Sequence, residues 1–371
     1  VTAAFPRRSG FTLIELLIVI SMLAVLSAIA VGTYFRVRTA AVESATERVL
    51  QRFQLSLDAQ VKAILDQAKD EASGKVAAPA GLGVVRFVAA NGTAGTPDPD
   101  RLIALWAMCR LRNELPVTFQ EAVTPVQFTF PPNTSGNGPY GLYAGTTVTV
   151  LPAKPLFTGR LSPPAYPTGT PFPIPNPEEP EAQSAALLYM LLSERGSRGA
   201  LTGDDVAAGS PTPFNFSVTV GGVTSSPQFT VFRDPFGTPV GYLRWAVNPN
   251  ELNKPPFSNN LNLPSQNPLD PRGTLRNTTP QGSAWAGNFA DVVRGGLGMP
   301  LSGTTPPTWI ADNNWVATVV SAGPNRKWDW DGKTPTAPLL LNTQPTPIEE
   351  SNPKGFGTTD NIYGFRLRAK Q

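Results

Sequence analysis

The chain has 371 residues, with 30 Lys and Arg against 27 Asp and Glu, a formal net charge of +3, no histidine and a single cysteine, Cys109. The missing histidines exclude His-based acid–base catalysis, His-containing triads and most zinc sites, and the lone cysteine excludes a disulfide within the sequence and a cysteine metal cluster. So small a charge excess gives no electrostatic case for nucleic acid or for acidic partners.

Near the start stands a short basic stretch, Arg7-Arg8-Ser9-Gly10, and then an apolar run from Phe11 to Val31 in which Glu15 is the only ionisable residue. As a helix the run is ~31 Å long, about the thickness of a bilayer's hydrocarbon core, and it reads as a membrane span. A carboxylate within such a span costs on the order of 2.5–3.5 kcal/mol, so Glu15 calls for a specific role.

The stretch Gly10-Phe11-Thr12-Leu13-Ile14-Glu15, with its basic leader and the span behind it, resembles the type IV pilin and type II secretion pseudopilin family. The resemblance implies that residues 1–10 are a leader, cut by a prepilin peptidase between Gly10 and Phe11, and that Phe11 is then N-methylated. It implies that Glu15 serves assembly by pairing with the N-terminal amine of a neighbouring subunit. The implied partners are the peptidase, copies of this chain and other pilin-like subunits, and the inner-membrane assembly machinery. The implied location is a single-pass inner-membrane protein that later enters a periplasmic or cell-surface filament. Elementary physics agrees, because an ammonium and a carboxylate are each costly in lipid and neutralise one another between subunits.

Two other readings of this segment stay open. A plain transmembrane anchor accounts for the apolar run but not for Glu15. A secretory signal peptide would use Arg7 and Arg8 as its basic region and Ala28-Ile29-Ala30 as its cleavage pattern, leaving a mature start at Val31. Its apolar region would then carry a glutamate and exceed the usual ~7–15 residues.

No proline lies between Arg7 and Ala78, and helix signals continue past the span over residues 32–73. Leu50, Phe53, Leu57, Val61, Ile64 and Ala68 recur at three- and four-residue steps, with Arg48, Gln51, Arg52, Gln54, Asp58 and Lys62 between them. This predicts one apolar face packed on a sheet and one polar face in water. The stop is Ala72-Ser73-Gly74, followed by Pro79. Gly32, at the edge of the span, is a candidate point of local bending or melting.

Residues 74–371 read as a loop-rich head. Pro79 to Pro99 is small and polar and is expected to be an exposed connection. Asp98-Pro99-Asp100 is a helix start, with Asp98 as cap, for a helix through Glu114. Strand-like alternation follows at Val126–Phe130 and Thr146–Leu151. The stretch 152–177 is too dense in proline for helix or sheet and reads as a surface loop. A second helix, from about Pro180 to Arg195, carries an apolar run so continuous that both of its sides should be covered. Strands are predicted at Phe214–Val220, Gln228–Phe232, Gly241–Val247 and Trp315–Val320, with a long irregular insertion at 248–310. Cys109 sits in an apolar stretch and reads as a buried structural thiol. The fold class is α+β and pilin-like: a long N-terminal helix, half membrane-spanning and half amphipathic, on an antiparallel β-sheet head.

Two further patches carry the resemblance. Asp234-Pro235-Phe236-Gly237-Thr238-Pro239-Val240-Gly241-Tyr242 is similar to a turn of the major pseudopilins, with Phe236 where tryptophan is usual, and its expected role is structural. The run Val319 to Asn325, then Asp329-Trp330-Asp331-Gly332 and Gly357 to Ile362, is similar to their C-terminal calcium loop. Carried over by position, this implies calcium at Ser321, Asn325, Asp329, Asp331 and Asp360. Asn325 stands where aspartate is usual, Arg326 and Lys327 add repulsive charge, and residues 333–355 are inserted. Asp–Gly turns that hold no metal are the alternative.

Together these features predict a non-enzymatic structural subunit of a type IV pilus-like or type II secretion pseudopilus filament. A minor tip pilin, binding a surface or ligand through loop aromatics such as Trp285, Trp309 and Trp328, is the main alternative. An exported enzyme is a further one, although Asp329 and Asp331 are too close in sequence to flank a scissile bond.

Overall fold

The computed structural model describes residues 13–90, 96–130, 143, 145–161, 180–193, 210–216, 218–220, 223–247, 267–273, 275, 314–323, 362–364 and 367. The fold is α+β: a long N-terminal helix followed by short helices and small antiparallel sheets. The chain divides into two compact units, one up to Ala45 and one from Thr46 onward.

Helix α1 runs from Leu13 to Ala72. Its stop follows the expected chemistry. Gly74 takes φ +77°, the Lys75 N–H reaches back to the Asp70 carbonyl at 2.9 Å, and the Gly74 N–H bonds to the Glu71 carbonyl at 3.1 Å. In the unit from Thr46 onward, α1 buries Leu50, Phe53, Leu57 and Ala68, while Arg48, Arg52, Leu55, Ala59, Lys62, Asp66 and Lys69 stay exposed. Phe53 packs against Phe232 at 4.5 Å between ring centroids, and Tyr189 meets the same ring at 5.0 Å.

Part of the connection expected to be exposed between Pro79 and Pro99 is instead core. Residues Leu82–Ala89 form helix α2, with Leu82, Val84, Val85, Val88 and Ala89 buried. β-Branched residues disfavour an isolated helix, so burial rather than local propensity makes this one. Gly81 allows its approach: a Cβ there would stand 1.8 Å from the Val150 carbonyl oxygen. Helix α3 spans Pro99–Glu114, and the Asp98 side chain caps it by accepting from the N–H groups of Asp100 and Arg101, as expected. A five-residue helix α4, Phe119–Val123, follows.

Strands β1 (Val126–Thr129) and β2 (Thr147–Leu151) pair antiparallel. The proline-dense stretch after them also departs from expectation at its start. Pro155–Leu161 form helix α5 and bury Phe157 and Leu161, with Pro155 at a first-turn position where its missing N–H costs nothing. Helix α6, Pro180–Ser193, is covered on both sides, as its apolar run predicts: Ala182 to Leu192 are buried apart from a half-buried Tyr189.

The strand predicted at Phe214–Val220 is two, β3 (Thr212–Asn215) and β4 (Val218–Val220); buried Phe216 continues the register of β3 with its N–H bonded to the Pro227 carbonyl at 2.9 Å. β4 pairs with β5 (Val223–Ser225) and β3 with β6 (Gln228–Val231). Strands β7 (Gly241–Val247), β8 (Trp315–Ser321) and β9 (Ile362–Tyr363) form an antiparallel sheet in that order. Among the described residues the strands thus make four small antiparallel sheets rather than the one anticipated. The excursions 248–314 and 324–361 leave from opposite ends of β8. Within the first, residues 267–273 and 275 are pinned down: buried Asn267 accepts from Trp315 Nε1 at 3.1 Å, and Arg272 pairs with Asp100 at 2.8 Å.

Candidate assembly segment

From Leu13 to Val31 every residue of α1 is exposed, including Leu13 at 82% and Leu26 at 63%. Among the described residues, α1 is the one helix long and apolar enough to cross a membrane. A helix satisfies its own backbone groups, which lipid requires, and here the hydroxyls follow suit. Ser21 donates to the Ile18 carbonyl at 2.8 Å, and Thr33 donates to the Ile29 carbonyl at 2.9 Å. Glu15, in the first described turn, is therefore the one place in this segment where charge can reside. Just beyond it, Tyr34 and Phe35 meet edge to face at 5.8 Å, and Arg36 and Arg38 follow. Aromatic and basic residues together suit a membrane–water boundary. At Gly32 the helix runs on unbroken, with open space around the missing Cβ.

The processing residues Gly10 and Phe11 lie outside the described residues. So do Asn325, Asp329, Asp331 and Asp360 of the calcium set, and the loop tryptophans Trp285, Trp309 and Trp328. Ser321 alone of that set is described. It is buried at the end of β8, its hydroxyl donates to Asp234 Oδ2 at 2.5 Å, and it accepts from the Gly323 N–H at 3.1 Å. Asp234 in turn accepts from the Thr238 N–H at 2.9 Å and from the Thr238 hydroxyl at 2.5 Å, while Gly237 supplies φ +86°. The Asp234 turn and the described start of the second patch, separate in the sequence, are therefore joined by a hydrogen bond. Among the described residues no group of three or more Asp, Glu or Cys side chains is placed to hold a metal ion.

The polar groups that seat α1 in the head were not anticipated. Gln54, read as part of the polar face, is buried and bonded to β8 through the Ala317 carbonyl at 2.9 Å and the Val319 N–H at 3.1 Å. Gln60 donates to the Leu191 carbonyl of α6 at 3.2 Å. Buried Glu71 accepts from Trp106 Nε1 at 2.8 Å, Arg110 Nε at 3.0 Å and Gln67 at 2.9 Å. Burial pushes the Glu71 carboxyl up, but the hydrogen bonds from Arg110, Gln67 and Trp106 and the charge of Arg110 outweigh it, leaving it below its ordinary value. A signal did exist. Leu50, Phe53, Gln54 and Leu57 stand at i, i+3, i+4 and i+7, so Gln54 occupies a core position of the helical stripe.

A second buried charge group fixes the head. Arg244 of β7 pairs with Glu121 at 2.7 Å and donates to the Leu115 carbonyl at 2.9 Å, Arg112 lies 3.4 Å from the same carboxylate, and the Tyr242 hydroxyl bonds the Pro116 carbonyl. Burial lowers the pKa of Arg112, partly opposed by Glu121, and raises that of Tyr242. These residues brace α3, α4 and β7 against each other.

Residues 5–31 match the prokaryotic N-terminal methylation motif. No curated protein and no solved structure matches the chain. The motif is that of substrates of prepilin-peptidase-type processing, in a family whose role is structural rather than catalytic. Joined to a long apolar N-terminal helix, it fits the type IV pilin-like family and membrane anchoring before assembly.

Proposed function

We propose that this chain is a structural subunit of a type IV pilus-like or type II secretion pseudopilus filament, cut after Gly10, methylated on Phe11 and assembled through α1. The observation that carries the reading is Glu15: one carboxylate in the otherwise uncharged, exposed apolar segment from Leu13 to Val31, set inside a matched methylation motif. Lipid disfavours that charge by about 2.5–3.5 kcal/mol, whereas a neighbouring subunit offers the cleaved chain's amine as a counter-charge. The helix thus has two environments, and Glu15 favours the second.

Mass spectrometry of the mature N-terminal peptide from cell envelopes tests this directly. A chain starting at Phe11 with one added methyl group is expected. A start at Val31 would show secretion with loss of a signal peptide and end the filament reading. Glu15→Ala is expected to stay in the membrane but enter filaments poorly. Within the same reading, calcium at Ser321, Asn325, Asp329, Asp331 and Asp360 rests on the resemblance alone, and a rise in melting temperature with calcium over chelator is its test.

A further inference from the structure

The β7–β8–β9 sheet has two sides, and a helix side chain stands at each. Tyr242 of β7 faces Val319 of β8. The main-chain groups of Tyr242 turn away from β8 to Ser184 of α6: its N–H donates to the Ser184 hydroxyl at 2.8 Å, and its carbonyl accepts from the same hydroxyl at 2.7 Å. On the opposite side, among the described residues, β9 pairs with β8 only at Val320 and Ser321. Beside that short pairing, Gln54 accepts from the Val319 N–H and donates to the Ala317 carbonyl.

Donating to one residue's carbonyl and accepting from the N–H two residues later is what a single residue of a parallel neighbouring strand does. The Gln54 amide takes that part. Asp58 receives its other amide proton at 2.9 Å and so fixes which way the amide faces. Gly364, directly after β9, makes the room: a Cβ there would lie 2.4 Å from Gln54 Oε1 and 2.7 Å from Val319 Cγ2. Gln54, Ser184, Tyr242 and Val319 are all buried, so the line Ser184–Tyr242–Val319–Gln54 crosses the sheet and is closed at both ends.

We infer, resting on the filament reading above, that Gln54 and Ser184 act as stand-ins for strands, closing β8 where its described pairing with β9 stops and β7 at Tyr242 against an added strand from a second copy of the chain. Open strand edges are templates for pairing, and a subunit concentrated among its own copies is the case in which such pairing does most harm. At these positions the head's own helices take the place that a neighbouring strand would need.

The test uses the full-length chain in detergent micelles. In the wild type, the Val319 and Tyr242 amides should exchange with deuterium as slowly as the amides shared between β7 and β8. Exchange at the rate of an unbonded amide would overturn the inference, with no variant needed. A synthetic peptide copying residues 315–321 then probes the edge itself. Gln54→Leu, which keeps volume but removes the amide, should capture this peptide about tenfold more tightly than the wild type, as should Ser184→Ala at the other side. Folded variants that bind the peptide no better than the wild type would sink the proposal, and the wild-type exchange result stands whether or not the variants fold.

Discussion

The two halves of α1 are one helix with two ways of placing polar groups. Between Leu13 and Val31 the side chains are exposed and apolar, and the hydroxyl of Ser21 bonds back to the helix itself. Between Thr46 and Ala72 the polar side chains Gln54, Gln60 and Glu71 bond outward, to β8, α6 and α3. Helix propensity does not separate the halves, since both lack proline and both are helical. What separates them is where polar atoms find partners. The first half suits surroundings that offer none, and the second is specified by surroundings that offer several.

The contrast is sharpest at Glu71. Glu71→Ala removes the acceptor of buried Trp106 and of Arg110, and should cost about 3 kcal/mol in equilibrium unfolding followed by tryptophan near-UV dichroism. Glu15→Ala should leave that transition where it is. A loss below about 1 kcal/mol at Glu71 would break the comparison. Leu57→Ala should cost about 2–5 kcal/mol, whereas Leu55→Ala, two residues away and 63% exposed, should cost about 0.5 kcal/mol or less.

Acid gives a smaller effect with a fixed sign. Because the folded-state pKa of Glu71 lies below its ordinary value of 4.5, its contribution is fully present above that value and is lost as pH falls through the lowered one. Melting temperature measured across this range should fall less steeply in Glu71→Gln. The smallest effect is an absence of reaction. Burial pushes the Cys109 thiol up to about 12, so iodoacetamide at about pH 8 should leave the folded chain unmodified and label it only in denaturant.

Much of this was legible because it is local. Asp98-Pro99-Asp100 starts a helix by its own chemistry, Gly74 ends one, and the continuous apolar run of α6 announces a helix with no solvent side. The methylation segment is a linear motif and needs no tertiary partner to be read. What escaped depends on partners distant in sequence. Leu82–Ala89 is a helix because the core covers it, and Gly81 is needed there only because Val150 lies against it. The proline beside Pro155–Leu161 masked a helix that burial of Phe157 supports. Gln54 has a polar side chain at a core position, and only β8 explains it. The bond from Ser321 to Asp234 joins residues 87 positions apart, which no local pattern encodes.

The spacing of Gln54, Gln60 and Glu71 has a mechanical consequence. They lie along about 25 Å of one helix, and each grips a different element of the head. A pull directed along the helix axis loads these three grips in parallel, like rivets in a lap joint, so they must yield together. A pull across the axis peels them one at a time. Against an axial pull, the helix is therefore fastened to the head by a joint loaded in shear.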